Sequence, residues 1–460
     1  MEFDLLIKNG LVVTEEGAIY ADVGIRDGKI AALCSRLAEG RGKRIIDAAG
    51  QYVLPGFIDP HVHLNDPGMT NSEDFYTGTC AAAAGGVTTV LEHPLTFPLP
   101  DNLKDFNDKK KIGESKAVIN FGLLGACSAD NEKEMAKIIE SGAAAFKTFL
   151  TYSPEIPMLD DGQIIERMKF LSKYDIVLAV HCENNDIVEF YTKRMQEEGR
   201  VLPEDYPKGR PAISELEAVA RMCLFARKTG CKMNVAHCTL EEAVNIVQAH
   251  KQMGANISVE TCPHYLVLNQ EMMKELGVFA ICNPPLRPEE EVEKLWNCIF
   301  DGKIDWICSD HATYTIEEKM AGRDNAFLTP AGVTSVETCF PLFFSEGVVK
   351  RGLSIEAFVS LTSTNAAKRF RLYPQKGRIA EGADADITIF DPQKRWTIDD
   401  QKLKQMIKWS PYHGRQITGR VSKTIVNGIE AYDGTNIQAE KGSGCYIRPA
   451  GRNSDEASLD

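Results

Sequence analysis

The sequence predicts an α/β protein: a (β/α)8 TIM-type barrel with a small β-sandwich domain built from both chain ends. The middle of the chain alternates eight short apolar runs with helix-like segments, and such runs are typical of parallel strands buried on both faces. The two ends instead carry short β-like runs separated by turns. Polar residues cluster where the middle strands end, as they do at the mouth of a barrel.

The two chain ends share one sequence pattern, which suggests that they form one domain. Turn-separated β-like runs fill the first fifty residues, and two more follow Gly377, at Asp386–Phe390 and Val421–Val426. We therefore expect residues 1–52 and 377–445 to form the small β domain, residues 53–376 the barrel, and residues 446–460 a polar tail.

The barrel strands are predicted from runs that end in polar or charged side chains. They are Leu54–Leu64, Thr88–Leu95, Val118–Leu124, Ala143–Leu150, Ile176–His181, Met233–His237, Ile257–Glu260 and Ile304–Asp310. Helical patterns between them include Asn131–Glu140, Glu215–Lys228, Leu240–Lys251 and Glu289–Phe300. The alternative is an open doubly wound sheet, but the clustering of polar strand ends favours the barrel.

Composition and charge narrow the class of function. The 460 residues carry a formal net charge of −13, which disfavours a nucleic-acid or anionic-membrane partner. The acidic start lacks the pattern of a secretory leader, and no apolar run is long enough to span a bilayer. The 13 cysteines contain no C-x-x-C pair, so we expect a cytoplasmic protein whose thiols are reduced and mostly buried.

The candidate metal ligands are mainly histidines in the predicted barrel strands. His61 and His63 lie two apart on the first barrel strand, so both can point to the same side. His181 and His237 stand at the ends of the fifth and sixth strands, and Asp310 at the end of the eighth. An isolated H-x-H pair is weak evidence, but four histidines and an aspartate on one rim predict a metal site. Lys147, in an apolar strand, would by itself be interpreted as a snorkelling or ion-paired lysine.

In these residues the chain resembles the amidohydrolase superfamily, and most closely its cyclic-amidase branch of hydantoinases, dihydropyrimidinases, allantoinases and dihydroorotases. The resemblance covers nearly the whole chain. Its motifs are His61-x-His63 with Lys147, His181, His237 and Asp310, together with Pro55-Gly-Phe-Ile-Asp59, Cys262-Pro-His-Tyr-Leu266, Asn283-Pro-Pro-Leu-Arg287 and Gly377-Arg-Ile-Ala-Glu-Gly382.

The resemblance implies two divalent metal ions bridged by Lys147 after its carboxylation by CO2. It places His61, His63 and Asp310 on one metal, and His181 and His237 on the other. Zinc is favoured, and manganese, cobalt and iron stay open because all accept nitrogen and oxygen ligands. The family is commonly tetrameric, so the resemblance also implies a homotetramer.

The mechanism that the resemblance implies is attack of a metal-bridging hydroxide on a ring amide carbonyl. Asp310 is expected to take the hydroxide proton and return it to the leaving nitrogen. Tyr152 matches the tyrosine that donates to the oxyanion in hydantoinases and dihydropyrimidinases, with loop packing as the alternative role.

The expected substrate is a small, neutral cyclic amide of the hydantoin or dihydropyrimidine type, with allantoin as the alternative. Dihydroorotase is disfavoured because Asn65 stands where those enzymes carry a carboxylate-binding arginine. The family pattern makes Asn283, Tyr152, Asn65 and His264 candidates for substrate binding, although His264 could equally support the ligands.

Two other classes of protein fit the sequence less well. Some relatives of dihydropyrimidinase are non-catalytic scaffolds that have lost ligands, whereas all six ligand positions are present here. A serine hydrolase lacks support because no G-x-S-x-G motif occurs.

Overall fold

The computed structural model describes residues 2–450, and its central feature is a parallel barrel. The amino-terminal segment forms strands β1–β5, and β6–β14 form the barrel. β1–β5 are Phe3–Thr14, Gly17–Arg26, Lys29–Cys34, Gly42–Asp47 and Tyr52–Pro55. β6–β14 are Phe57–His63, Val87–Glu92, Asn120–Ala126, Ala145–Phe149, Val177–His181, Met233–Val235, Ile257–Thr261, Trp306–Ile307 and His311–Ala312.

The barrel closes through its eighth strand, which is interrupted. β13 pairs in parallel with β12, and β14 pairs in parallel with β6. Residues 308–310 separate these two short pieces, so together they complete the ring between the seventh strand and the first. The sequence predicts one continuous run, Ile304–Asp310. The run is interrupted because Asp310 adopts a φ of 46°, which is incompatible with extended backbone.

Helices cover the outside of the barrel and bury their apolar faces against it. In Glu289–Phe300, for example, three glutamates occupy the first turn, where they favour the helix dipole, while Leu295 and Trp296 are buried. In the part of the chain that the structure describes, α1–α15 are Phe75–Ala84, Leu103–Lys116, Glu132–Glu140, Asp161–Leu171, Asn185–Glu197, Tyr206–Gly209, Ala212–Thr229, Glu241–Gln252, Pro263–Val267, Met273–Leu276, Glu289–Phe300, Ile316–Met320, Cys339–Phe343, Ile355–Val359 and Asn365–Arg369.

Both chain ends meet in a second, mostly antiparallel sheet. It joins β1–β5 to β15, β16 and β17, which are Ile387–Thr397, Gln416–Val426 and Ile429–Tyr432. Asp386 ties this sheet to the amino end of β8, because it accepts hydrogen bonds from the Asn120 amide at 3.1 Å and from Lys376 at 2.5 Å. The predicted fold class, a barrel with a small β domain from both ends, is confirmed.

The segment predicted to be a polar tail begins against the barrel. The Ile447 N–H donates to the Phe121 carbonyl at 2.8 Å, and the Tyr446 hydroxyl donates to the Gly142 carbonyl at 2.7 Å. Residues 451–460 lie outside the described residues.

Candidate metal centre

All six predicted metal ligands line one cavity of about 310 Å³ at the carboxyl ends of the barrel strands. His61 Nε2 and His63 Nε2 lie 3.1 and 3.3 Å from Asp310 Oδ1. His181 Nδ1 lies 3.0 Å from His237 Nε2. Their donor atoms therefore converge from strands that are far apart in the sequence, with nitrogen and carboxylate oxygen facing a common space.

Two of these side chains reach the cavity because the backbone turns at their positions. His237 and Asp310 have φ angles of 38° and 46°, a region that residues other than glycine adopt at a cost of about 1–3 kcal/mol. β11 accordingly ends at Val235, before the predicted end of that strand. Such strain is typical of functional sites, where the surrounding structure holds a side chain in a required direction.

Lys147 is fully buried and lines the same cavity as the four histidines. Among residues 2–450, its Nζ finds no hydrogen-bond partner, and burial lowers the pKa of the amine below its usual value. An unpartnered buried ammonium is costly. The neutral amine is the form that reacts with CO2. The resulting carbamate would lie between two cations, so the buried group would no longer lack a partner. The donor set therefore fits a pair of metal ions bridged at Lys147.

Two buried carboxylates, neither of them predicted from the sequence, hold one histidine each. Glu260 Oε1 lies 2.6 Å from His61 Nδ1, and Glu183 Oε2 lies 2.8 Å from His181 Nε2. Each contact occupies one ring nitrogen and leaves the other facing the cavity, which is how outer carboxylates orient metal-binding histidines. The signal available in the sequence was a charged residue at, or two residues beyond, the end of an apolar strand.

The two carboxylates differ in their own environment. Burial alone would raise the pKa of Glu183, but the Arg210 guanidinium, 2.7 Å away, and the His181 ring outweigh it and bring the pKa to about 2. For Glu260, burial dominates and raises the pKa to about 7. The amide of Asn234 and the indole of Trp306 donate to it at 3.0 and 2.7 Å.

His93 also belongs to this region, although it is not one of the predicted ligands. Its ring stacks on His61 with centroids 3.7 Å apart, and it is buried. His93 Nε2 lies 3.3 Å from the Pro60 carbonyl. His93 therefore packs against the ligand layer and restricts the rotation of His61.

The predicted substrate-binding residues are more dispersed than the ligands. Tyr152 lines the cavity with 73% of its surface exposed, and its backbone N–H donates to Asn185 Oδ1 at 2.9 Å. Asn283 also lines the cavity, and its Oδ1 accepts a hydrogen bond from the Tyr206 hydroxyl at 2.8 Å.

The other two candidates are held differently. The Asn65 amide lines the cavity but donates to Ser72 Oγ at 2.8 Å and to the Thr313 carbonyl at 3.0 Å, so its donors fix a loop. His264 is fully buried and is not among the residues that line the cavity. Its ring nitrogens have no hydrogen-bond partner among residues 2–450, and one lies within 4.8 Å of an Asp310 oxygen.

A closed parallel barrel with four histidines, a buried lysine and an aspartate around one cavity at its strand ends defines a metal-dependent hydrolase. The model of the amidohydrolase family matches residues 52–430. An allantoinase from Salmonella typhimurium is 36% identical over 440 residues, which cover 94% of this chain and 96% of that relative. The chain therefore belongs to the amidohydrolase family.

Solved structures refine this assignment. L-hydantoinase (dihydropyrimidinase) from Arthrobacter aurescens is 30% identical with a TM-score of 0.95, covering 97% of this chain and 100% of that chain. Dihydropyrimidinase from Brevibacillus agri NCHU1002 is 32% identical with a TM-score of 0.92, covering 97% and 99%. These relatives confirm the cyclic-amidase branch and an enzyme of that class, and the family implies a binuclear metal centre. None of the helices in residues 2–450 is long and apolar enough to cross a membrane.

Proposed function

We propose that the protein hydrolyses a cyclic amide bond in a small, neutral ureide or imide ring of the hydantoin or dihydropyrimidine type. The observation that carries this proposal is the convergence of the full donor set in one cavity of a fold that matches a hydantoinase over 97% of the chain. A scaffold without catalytic function would have no need to keep a buried, unpartnered lysine among four histidines.

The proposed ligands divide into two groups around Lys147. His61, His63 and Asp310 would hold one metal ion, His181 and His237 the other, and carboxylated Lys147 would bridge them. When bound, the two ions would polarise the ring carbonyl and supply a hydroxide nucleophile near neutral pH. Zinc is the proposed metal because imidazole nitrogen and carboxylate oxygen both suit it.

The protein's own side chains would then transfer the proton and stabilise the negative charge that develops on the carbonyl oxygen. The Asp310 carboxylate is partly open to the cavity, so it can take the proton of the nucleophile and pass it to the ring nitrogen that leaves. The Tyr152 hydroxyl would donate to the oxygen of the carbonyl as negative charge develops there. Asn283, oriented by Tyr206, would face the ring.

Allantoin is the second candidate substrate. Allantoinases are 36% identical to this chain over 94% of its length, against 30% for the hydantoinase structure with a TM-score of 0.95. Both rings are neutral ureides, so the same metal centre would serve either. The substituent on the ring would decide between them through the loops around the cavity.

A substrate panel tests the assignment. Enzyme reconstituted with zinc is assayed against hydantoin, 5-substituted hydantoins, dihydrouracil, allantoin and dihydroorotate, and its metal content is measured. We expect about two metal ions per chain and the highest kcat/KM on a hydantoin or dihydrouracil. Preferred turnover of allantoin would transfer the assignment to allantoinase. Turnover of dihydroorotate would contradict the role given to Asn65, and protein purified without chelator that binds no metal would overturn the metal mechanism.

Two further proposals rest on the resemblance, for the assembly, and on the cysteines without a C-x-x-C pair, for the location. We propose a homotetramer, which light scattering on a sizing column would measure, and a cytoplasmic location, which fractionation of the source cells would test.

A further inference from the structure

Lys319 is a fully buried lysine next to the cavity that the proposed mechanism does not use. It lies on α12, and its Nζ donates three hydrogen bonds to backbone carbonyls. The distances are 3.1 Å to Ile281 O, 3.0 Å to Pro330 O and 3.0 Å to Gly332 O. The ring centroid of Trp409 lies 5.5 Å from the same nitrogen. Burial lowers the pKa of Lys319 to about 7. In the ammonium form each N–H is matched by a carbonyl, which offsets part of the cost of burying the charge.

These three carbonyls belong to two separate segments of the cavity wall. Ile281 directly precedes Cys282 and Asn283, which line the cavity. The segment Pro330–Gly332 also lines it. The Gly332 N–H also donates to Ile281 O at 2.9 Å. Lys319 thus sits at the point where the two walls meet.

Neither segment has regular secondary structure that would fix its position. Segments of this kind are normally the more mobile parts of a barrel, because their backbone groups lack the ladder of a sheet. When Lys319 is protonated, its hydrogen bonds are charge-assisted and about twice as strong as neutral ones. Three of them from one atom determine the distance between the two walls in a way that apolar packing would not.

We propose that Lys319 is a positioning residue for the reaction, which fixes the spacing between the Asn283 wall and the Ala331–Gly332 wall of the cavity. It acts through backbone carbonyls and does not touch the substrate. The three hydrogen bonds from Lys319, which we call the clamp, are observed in the structure. Their effect on turnover rests on the proposed function.

Hydrogen exchange tests the clamp without any substrate. Lys319→Met keeps the length and the apolar stem but removes all three donors. Lys376→Met is the matched control, because Lys376 is a buried lysine that instead bonds Asp386 near the small sheet. In Lys319→Met, peptides that cover residues 281–283 and 330–333 should exchange about tenfold faster than in the wild type and in the control. Unchanged exchange in these peptides would overturn the proposal.

Kinetics then test the effect on the reaction. With metal content at the wild-type level, Lys319→Met should raise KM for the preferred ring substrate by about tenfold, whereas Lys376→Met should leave KM unchanged. Faster exchange with unchanged KM and kcat would overturn the positioning role. If Lys319→Met does not fold, Lys319→Gln, which keeps one amide donor group, is judged by the same two measurements. A wild-type enzyme that hydrolyses no ring in the panel would refute the proposed function, and the exchange experiment would still decide the clamp.

Discussion

The floor and the rim of the cavity are built in different ways. The floor consists of the six ligand side chains, which lie in or just after the barrel strands, and two buried carboxylates fix two of its histidines from behind. The rim consists of loops, on which Tyr152 is 73% exposed and Asn283 depends on one hydrogen bond from Tyr206. The floor is thus rigid and suited to binding metal, while the rim can change with the ring that the enzyme accepts.

This difference gives a testable separation of effects. Substitutions in the floor should change metal content together with kcat, whereas substitutions in the rim should change kinetic constants at constant metal content. A rim variant that loses metal, or a floor variant that keeps it, would break the comparison.

The largest effect is expected for Lys147→Ala. Without the bridging group, metal binding and kcat/KM should fall, the latter by about a thousandfold, because the charge stabilisation lost is worth several kcal/mol. A short carboxylic acid at high concentration should partly restore activity by occupying the space of the carbamate. Lys376→Ala, which also removes a buried lysine, should show neither the loss nor the rescue. Full activity in Lys147→Ala without added acid would refute the bridging role.

Tyr152→Phe should lower kcat by about a hundredfold, because loss of one oxyanion donor typically costs a factor of 10²–10³. KM should change much less, and metal content should stay at the wild-type level, since Tyr152 belongs to the rim. Tyr20→Phe is the control, because Tyr20 is 75% exposed on the small β domain. An unchanged kcat in Tyr152→Phe would mean that Tyr152 only packs the loop.

Glu183→Gln should weaken metal affinity by about 10–100-fold, because His181 loses the anion that orients its ring. Competition against a chelator measures this affinity directly. Glu215→Gln is the matched control, since Glu215 is a buried carboxylate that bonds Arg287 at 2.9 Å and contacts no predicted ligand. Equal affinities in the two variants would show that Glu183 serves the fold and not the metal.

The floor was predictable from the sequence because the geometry of the barrel determines where its ligand side chains lie. A parallel barrel brings all its strand ends to one rim, so His61, His181 and Asp310 can be placed together from strand positions alone. The carboxylates behind them were not found. Whether Glu260 reaches His61 depends on how the seventh strand is arranged relative to the first, across 199 positions of sequence, and no local pattern encodes that.

The rim was predictable only in part, and for a related reason. The sequence named Tyr152 and Asn283 through resemblance, but their exposure and partners depend on loop conformation. Lys319 left no sequence signal, because its partners are backbone carbonyls, which every residue type supplies. The break in the eighth strand was also missed, since an apolar run reveals nothing about a positive φ at Asp310.

The smallest effect, and the sharpest test of the rim, is expected for Tyr206→Phe. The loss of the hydrogen bond to Asn283 Oδ1 should cost about 1 kcal/mol, or about a fivefold increase in KM, with metal content unchanged. Tyr265→Phe is the comparison, because the Tyr265 hydroxyl donates to the Pro284 carbonyl at 2.7 Å and so supports the same loop through its backbone. If the orientation of the Asn283 amide matters, Tyr206→Phe should raise KM more than Tyr265→Phe does. Equal increases would mean that the position of the loop alone determines how the rim holds the ring.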